Sequence, residues 1–425
     1  MIKYIQIKNY RCLAYIASSL NRFHVLVGAN ATGKTTFFDV ISFLGDIIKS
    51  RTIDEAINKR ITKNGTFDEL TFSKQGGDIE FAVELEIPQS IRKNLWNSNI
   101  DTIRYEICLG LVDENYGIGI KDERVVVFIS AENTHLQPTF EVFPIEKTTP
   151  SSIMNLKYKK STARQILKKN PKGDSYYSEL LEQSGKGWIQ SFRLGNKISA
   201  LGSLPEDENK FPATIWLKNY LSQHIQLFVL DSLNMRMTSS PDVQKNFQTD
   251  GSNLPWIIHD LQVNHPKKFA RWIAHLQTAL PDIKDIRTVE VLQNRHLYLE
   301  VHYKNDIVVP SWLVSDGTLR LLALTLPAYL PNLSGLFLIE EPENGIHPKA
   351  IEMVFQSLSS VYNAQIFIAT HSPVILSMTK PEQVLCFAKT PKGATDIVSG
   401  NNHPMLKDWH GEVNLSTLYA GGILG

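Results

Sequence analysis

A glycine-rich loop near the start of the chain has the residue types and spacing that bind phosphate. The segment GANATGKTT, residues 28–36, fits the pattern G-x-x-x-x-G-K-[ST], with Gly28, Gly33, Lys34 and Thr35 at its defining positions. Backbone N–H groups of such a loop turn inward around phosphate oxygens, and a following helix adds the positive end of its dipole. We expect Lys34 to reach the outer phosphates of a nucleotide and Thr35 to bind Mg²⁺. A chance match is the alternative, but an apolar strand precedes the loop and a helical pattern follows it.

Two adjacent acids end a second apolar segment, LFLIEE. Four apolar residues that begin at Leu336 lead directly to Glu340 and Glu341. A buried strand that delivers two carboxylates at its C-terminal end suits a metal ion and a water molecule. One carboxylate would hold Mg²⁺ through its hydration shell, and the next would orient or deprotonate the attacking water. Taken alone, the segment is equally typical of a solvated acidic loop and of such a metal-binding strand.

Two further segments could take part in the same chemistry. FIATHSP places His371 at the end of the next apolar strand, where its ring could donate to a γ-phosphate, although a lone histidine is more often structural. In WLVSDGTLRLLAL, Ser315, Asp316 and Gly317 precede a helical pattern. This segment is typical of an N-capped helix, and a Ser-x-Gly turn at a helix start can also bind an anion.

Composition excludes several classes of protein. The 425 residues include 44 Lys and Arg against 43 Asp and Glu, a net charge of +1, which argues against a uniformly basic nucleic-acid coat. Three cysteines, far apart and odd in number, exclude a disulfide framework and a Cys-rich zinc site and favour a reduced cytoplasmic compartment. The most apolar run, 319–330, is interrupted by polar residues and proline, so we predict a soluble protein with no membrane segment.

The apolar pattern changes along the chain. Strands and a helix flank the glycine-rich loop within residues 1–50, and alternating apolar residues from about 65 to 145 predict antiparallel strands. Residues 150–280 are interpreted as mostly helical and polar. From 311 onward, short apolar strands alternate with helical patterns, which is typical of a parallel α/β sheet. There is no sustained heptad pattern, so a long coiled coil is not expected.

A basic stretch in the middle of the chain is the candidate for nucleic-acid contact. Residues 157–172 contain no acid and carry seven basic side chains: Lys157, Lys159, Lys160, Arg164, Lys168, Lys169 and Lys172. If they bind backbone phosphates, the affinity should fall steeply with salt. A solvated helix face is the favoured alternative.

The order of the motifs (glycine-rich loop, Ser-x-Gly turn, acidic strand, histidine) resembles the ATP-binding-cassette ATPase heads of the RecF/SMC/OLD-like branch. The resemblance is clear over residues 1–50 and 280–425. It implies an α/β P-loop NTPase fold with an antiparallel β subdomain and a large, mostly helical insertion. The head would then comprise residues 1–145 and 283–425, and the insertion residues 146–282.

The resemblance also implies roles for residues near the loop. Arg11, in NYRCL, matches a turn that points an arginine at the nucleotide phosphates. Asn30 matches a loop asparagine that contacts the γ-phosphate or the water, and Thr36 completes the ATP-binding set. Gln75, in SKQGGDIEF, is the candidate for the glutamine that links the lobes and contacts the metal, with an ordinary loop glutamine as the alternative.

In the later motifs, Glu341 matches the catalytic glutamate and His371 the switch histidine. Glu340 stands where many heads have aspartate, and we expect it still to bind the metal. VSDGT resembles the signature loop, so Ser315 and Gly317 would touch the γ-phosphate held by a partner subunit. The resemblance therefore implies a head-to-tail homodimer that uses ATP and Mg²⁺.

The C-terminal run NLSTLYAGGILG resembles the ending of stand-alone ATPases of bacterial anti-phage systems. Such ATPases usually work with a separately encoded effector, often a nuclease. The predicted function is thus a slow ATPase that acts as a nucleotide-driven switch in a defence complex. The alternatives are a RecF-like repair ATPase that clamps DNA, a transporter ATPase subunit, which the long insertion disfavours, and a scaffold that binds ATP and hardly hydrolyses it.

Overall fold

The computed structural model describes residues 1–113, 117–132, 142–154, 162–179, 190–242, 246–407 and 415–422. The strands, in chain order, are β1 Ile2–Tyr10, β2 Leu13–Ser19, β3 Phe23–Val27, β4 Ile79–Glu86, β5 Thr102–Asp113, β6 Gly117–Phe128, β7 Ala163–Lys169, β8 Asp174–Tyr177, β9 Gln190–Arg193, β10 Ile225–Phe228, β11 Ile283–Glu290, β12 Leu297–Tyr303, β13 Val308–Pro310, β14 Leu336–Glu340, β15 Gln365–Ala369, β16 Val384–Lys389 and β17 Thr395–Ser399. The helices are α1 Lys34–Lys49, α2 Ile53–Asn58, α3 Gln89–Arg92, α4 Pro212–Gln223, α5 Ser232–Arg236, α6 Leu254–Asn264, α7 Pro266–Ala279, α8 Asp316–Thr325, α9 Pro348–Ser359, α10 Pro373–Ser377, α11 Pro404–Lys407 and α12 Leu415–Ala420.

A six-stranded sheet joins both ends of the chain. Its order is β10–β14–β15–β3–β16–β17, and every pair except β16–β17 is parallel. The strands β3 and β15 are buried along their whole length, as expected for a parallel sheet that is covered on both faces. This arrangement confirms the α/β fold predicted from the alternating strands and helices.

An eight-stranded antiparallel sheet covers one side of helix α1. Its order is β2–β1–β4–β5–β6–β7–β8–β9. Aromatic rings fill the space between this sheet and the helix: Phe43 of α1 lies 5.8 Å from Phe81 of β4 and 5.9 Å from Tyr10 of β1, measured between ring centroids. The sheet is the predicted antiparallel β subdomain, and it anchors the helix that begins at the glycine-rich loop.

The first part of the predicted helical insertion is sheet instead. Strands β7, β8 and β9 lie within residues 146–282 and extend the antiparallel sheet, with β7 paired to β6. The backbone groups at the edge of β6 need partners, and β7 supplies them. The basic side chains hid this strand in the sequence, because Lys169 is buried there beside Ile166 and Leu167. Helices account for much of 212–279.

A second core lies on the other face of the parallel sheet. Helices α6 and α7 pack against a three-stranded sheet of order β11–β12–β13. Trp272 of α7 is fully buried, and its indole N–H donates to Thr325 Oγ1 at 3.0 Å. Among the described residues the longest helix is α1, with 16 residues, so this part of the chain contains no long coiled coil. No helix in it is long and apolar enough to cross a membrane.

A buried ion network holds the centre of the antiparallel sheet. Arg104 is fully buried, and its guanidinium donates to Glu84 at 2.9 Å, to Glu106 at 2.6 Å and to the side-chain oxygen of Gln6 at 2.6 Å. Burial raises the pKa of the Glu106 carboxyl, and the Arg104 charge opposes that rise. The arginine thus compensates two carboxylates that are removed from water.

The Arg104→Met variant should be strongly destabilised, because it leaves Glu84 and Glu106 buried without their cation. We expect the free energy of unfolding to fall by about 3–5 kcal/mol. Urea unfolding measures the change, and Arg193→Met, on the exposed side of β9 in the same sheet, is the matched control. Equal unfolding midpoints for the two variants would contradict a stabilising role for the network.

Candidate nucleotide site

The predicted phosphate-binding and acidic residues line one cavity. It has a volume of about 320 Å³ and lies at the carboxyl ends of β3, β14 and β15. Its walls are residues 30–36 of the loop, Glu340 and Glu341, and His371, with Cys12 and Ala369. Neighbouring parallel strands end at the same edge of the sheet, which explains how segments more than 300 residues apart in sequence meet here.

Close packing at Gly33 fixes the shape of the glycine-rich loop. This residue has φ of 104° and immediately precedes α1, whose first backbone hydrogen bond runs from Phe37 N to Gly33 O at 2.8 Å. A Cβ atom at Gly33 would lie 2.7 Å from Thr395 Oγ1 and 2.9 Å from Cys12 Sγ. Only glycine fits both the backbone angle and the space, so the loop presents its N–H groups at the start of the helix.

Lys34 provides a desolvated positive charge at the base of the cavity. Its ammonium donates to the carbonyl oxygens of Gly28 at 2.7 Å and Ala29 at 3.0 Å, and the residue is 8 % exposed. Burial lowers the pKa of Lys34 to about 8, while Glu341 and Glu340 act in the opposite direction. The side chain is therefore still charged at neutral pH, in surroundings where its attraction for phosphate is less screened than in water.

The two acids occupy the mouth of the cavity in different backbone conformations. Glu340 ends β14, and Glu341 follows with φ of 45°, an uncommon left-handed conformation for a residue with a side chain. The N–H of Glu341 donates to Ala369 O at 2.8 Å, and the side-chain amide of Asn344 donates to the Glu341 carboxylate. Both carboxylates are exposed at the edge where an attacking water would reach a bound phosphate.

Thr35 and Glu340 suit a magnesium ion that is shared with a nucleotide. Both residues are exposed, and both line the cavity as well as an adjoining cleft of about 1080 Å³. A hydroxyl and a carboxylate, together with phosphate oxygens and water, are ligands that Mg²⁺ prefers. Among the described residues no group of three or more His, Cys, Asp and Glu side chains could hold a metal ion.

His371 contacts a residue to which the sequence assigned no role. Its Nδ1 lies 2.6 Å from the hydroxyl oxygen of Tyr419 in α12, and its backbone N–H donates to Glu343 Oε1 at 3.2 Å. Burial and the nearby Lys34 charge lower the pKa of His371, which favours the neutral ring. No spacing rule connects Tyr419 to His371, because they lie 48 residues apart and meet only through the tertiary fold.

The Ser-x-Gly turn lies away from this cavity. Ser315 is exposed and caps α8, and its hydroxyl oxygen accepts from Thr318 N at 3.3 Å. A Cβ atom at Gly317 would lie 2.6 Å from Gly345 O, so the turn packs directly on the loop that follows Glu341. The structure therefore does not bring Ser315 and Gly317 to the cavity of their own chain.

Family comparison agrees with this site. Residues 23–132 and 186–377 match the family described as AAA domain, putative AbiEii toxin, Type IV TA system. The chain belongs to this AAA family. The match contains the glycine-rich loop, the acidic strand and His371, so the AAA-family domain includes most of the residues that line the cavity.

Three similar proteins extend the comparison of this AAA-family chain. It is 30 % identical over 115 residues to the "Retron Vc95 probable ATPase" of Vibrio cholerae serotype O1 biovar El Tor, a stretch that covers 24 % of this chain and only 22 % of that protein. An SMC head bound to the C-winged helix domain of ScpA is 12 % identical, with 94 % and 97 % of the two chains covered and a TM-score of 0.45. The SMC head domain from Thermotoga maritima is 10 % identical, with 94 % and 98 % covered and a TM-score of 0.42.

Besides Ser315 and Gly317, the predicted site residues Arg11, Gly28 and Gln75 do not line this cavity. Arg11 lines the adjoining cleft, where its guanidinium pairs with Asp39 at 3.1 Å and donates to Arg60 O at 3.0 Å. Gln75 is exposed in the loop before β4 and does not line the cavity. One of the strands next to Glu340 is β10, which the sequence did not predict. Its last residue, Phe228, pairs with Ile339, so β10 ends beside Glu340. The short run IQLF, residues 225–228, is a sequence signal from which this strand could have been predicted.

The basic stretch is not a helix face where the structure describes it. Residues 155–161, with Lys157, Lys159 and Lys160, lie outside the described residues. Lys169 is buried in β7 and donates to Ile198 O at 2.8 Å. Arg164 lies 4.9 Å from the ring centroid of Trp96 and donates to Ser178 O at 2.7 Å. Two of the predicted phosphate contacts therefore serve the sheet itself.

Substitutions at Lys34 and Glu341 should separate nucleotide binding from hydrolysis. Lys34→Ala removes charge-assisted hydrogen bonds to phosphate, so we expect ATP to bind about 10- to 100-fold more weakly. Glu341→Gln keeps the shape but removes the base, so binding should change little while the hydrolysis rate falls by about 100-fold or more. Titration with a fluorescent ATP analogue and a phosphate-release assay measure the two effects. Glu352→Gln, exposed on α9, is the control, and unchanged hydrolysis in Glu341→Gln would exclude its role as base.

Proposed function

We propose that this protein is an ATP-binding and ATP-hydrolysing switch in a prokaryotic anti-phage defence complex, where it controls a separately encoded nuclease effector. The observation that carries the ATPase part is the single cavity that combines the glycine-rich loop, Glu340 with Glu341, and His371. Membership of the AAA family supports the same activity. The adjacent acids and the histidine are groups that hydrolysis of a bound triphosphate needs.

Each side chain in the cavity has a distinct task in this proposal. The loop N–H groups and Lys34 bind and orient the phosphates, and Thr35 and Glu340 would hold Mg²⁺, which neutralises charge on the phosphate oxygens. Glu341 orients a water molecule and accepts its proton, and His371 donates to the γ-phosphate. Hydrolysis is proposed to be slow, because a switch must remain in its ATP state long enough to act on a partner.

The position of the signature turn supports a head-to-tail homodimer. Ser315 is exposed. Gly317, two residues later, packs on the loop after Glu341, so the turn does not reach the cavity of its own chain. In a two-fold arrangement the turn of one subunit would face the cavity of the other, so that both sites are composite. Ser315 and the helix start behind it would then contact the γ-phosphate of the partner's ATP.

Co-expressed variants test the composite site. Each variant should be inactive as a homodimer. Glu341→Gln lacks the base, and Ser315→Arg obstructs the signature turn. In a mixture at equal amounts, half of the dimers are mixed and each has one intact site, so about a quarter of the wild-type hydrolysis rate should return. Phosphate release by the purified mixture gives the result.

The matched control pairs Glu341→Gln with Lys34→Ala. Both defects then affect the half of the site that carries the glycine-rich loop, and no mixed dimer contains an intact site. Full activity of the Ser315→Arg homodimer, or equal recovery in the two mixtures, would exclude a signature turn that acts in the partner's site.

Two observations support the defence role. The C-terminal run that includes Tyr419 resembles the C-terminal run of ATPases in bacterial anti-phage systems, and 24 % of the chain is 30 % identical to a retron protein described as a probable ATPase. The alternative, a RecF-like clamp on DNA, has less support, because Lys169 and Arg164 of the basic stretch make internal contacts. The proposed nucleic-acid contact through 157–172 therefore depends on the other basic residues.

Phage challenge tests the switch in a cell. A host that expresses the chain with the product of its neighbouring gene should resist phage, and Lys34→Ala should return the plating efficiency to that of the empty vector. Lys267→Ala, exposed at the start of α7, is the control and should preserve protection. Full protection by Lys34→Ala would contradict a nucleotide-driven switch, even if the purified wild-type chain hydrolyses ATP.

A further inference from the structure

The C-terminal helix is anchored beside the catalytic edge of the parallel sheet. Leu415 and Leu418 of α12 are buried in the second core, with exposed fractions of 0 % and 8 %, and α12 packs against α10. Helix α10 begins at Pro373, two residues after His371. The apolar side of α12 thus fixes the helix to the same short segment that carries the histidine.

One hydroxyl of this helix reaches two parts of the nucleotide site. The Tyr419 oxygen lies 2.6 Å from His371 Nδ1 and 3.3 Å from the carbonyl oxygen of Gly28. The same carbonyl oxygen accepts a hydrogen bond from the ammonium of Lys34 at 2.7 Å. A single side chain from residue 419 therefore joins the histidine to the start of the glycine-rich loop.

The hydrogen-bond capacity of these groups links the direction of the Tyr419–His371 hydrogen bond to the position of the imidazole proton. A tyrosine hydroxyl has one proton to donate, and a neutral imidazole has one N–H and one acceptor nitrogen. If the hydroxyl donates to Nδ1 of a neutral His371 across the 2.6 Å contact, Nε2 carries the ring proton and is the donor that remains for the cavity. If Nδ1 carries a proton instead, the tyrosine oxygen accepts it, and the hydroxyl proton turns to Gly28 O.

We propose that Tyr419 is the positioning residue of the switch histidine, and that the docked C-terminal helix is thereby a working part of the ATP site. This inference rests on the proposed hydrolytic function of His371. The hydroxyl selects the tautomer in which Nε2–H points away from Tyr419, and it holds the ring at a set distance from the loop. A carbonyl oxygen at the same place could only accept from Nδ1–H and would select the opposite tautomer.

Local chemistry supports a donor at this position. Burial raises the pKa of the Tyr419 hydroxyl, and nearby Glu343 acts in the same direction, so the hydroxyl keeps its proton at neutral pH. His371 has a lowered pKa from burial and from Lys34, so its ring is available as an acceptor.

The Tyr419→Phe variant tests the proposal, because it removes the hydroxyl and keeps the ring that packs beside His371. We expect kcat for ATP hydrolysis to fall about tenfold, with KM for ATP unchanged within about twofold, since the lost contact orients a group that acts in the transition state. In the His371→Gln background the same change should cause no further fall, because the hydroxyl acts only through the histidine. Tyr362→Phe, whose side chain is 72 % exposed, is the matched control.

Nitrogen NMR of protein labelled with ¹⁵N-histidine reports on the tautomer directly. The signals that disappear in His371→Gln identify the residue. In the wild type we expect a protonated Nε2 and an unprotonated Nδ1, and in Tyr419→Phe we expect both signals to move toward an average of the two tautomers. The NMR result can be interpreted even if the His371→Gln variant has no measurable ATPase activity.

Three outcomes would overturn the proposal. One is wild-type kcat in Tyr419→Phe, another is the same tenfold fall in the His371→Gln background, and the third is an unchanged pair of imidazole signals. Each of these leaves ATP hydrolysis by the wild-type chain intact, so it rejects the role of Tyr419 and not the proposed function. A wild-type chain without ATPase activity would reject the proposed function instead.

Discussion

The parallel pairing of β3 with β15, and of β15 with β14, is the constraint on which the site depends. Ladder hydrogen bonds set the register, with Ala369 opposite both Leu26 and Glu340. Because side chains and loops follow these strands at the same edge, the phosphate-binding loop, the acids and His371 need no further device to bring them together. A one-residue slip of β15 would exchange its two faces, and the packing of Phe367 in one core and of Ile366 and Ile368 in the other resists this exchange.

Around this edge, separate elements of the chain position separate residues of the site. The antiparallel sheet supports α1 through Tyr10, Phe43 and Phe81, and so fixes the axis along which the loop N–H groups point. The backbone of Glu341 is left-handed and tied to β15, which turns its carboxylate toward the mouth. The C-terminal helix adds a contact to His371. The geometry needed for catalysis is thus distributed over elements from both ends of the chain.

The sequence predicted the α/β fold and the catalytic edge because both have strong local signals. Gly28, Gly33 and Lys34 have a fixed spacing, and Glu340 and His371 each end an apolar run. Strand β7 was missed because the period-2 pattern of a strand is lost when a lysine such as Lys169 is buried and bonded to a carbonyl. Gln75 precedes a strand, as the resemblance implies, but that strand, β4, belongs to the antiparallel sheet and Gln75 does not line the cavity. Tyr419 could not be predicted, since only the packing of α12 brings it to the site.

The strand order also affects how the chain is made. β3 is complete by Val27, yet its partner β15 begins at Gln365 and β16 at Val384. At about 5–20 residues per second, a ribosome needs roughly 20–70 s to supply the first of these partners. During that time a five-residue strand that is fully buried in the native sheet has no native neighbour. The nascent chain can complete β1, β2 and β4 locally, but no phosphate-binding edge exists until β15 has been synthesised.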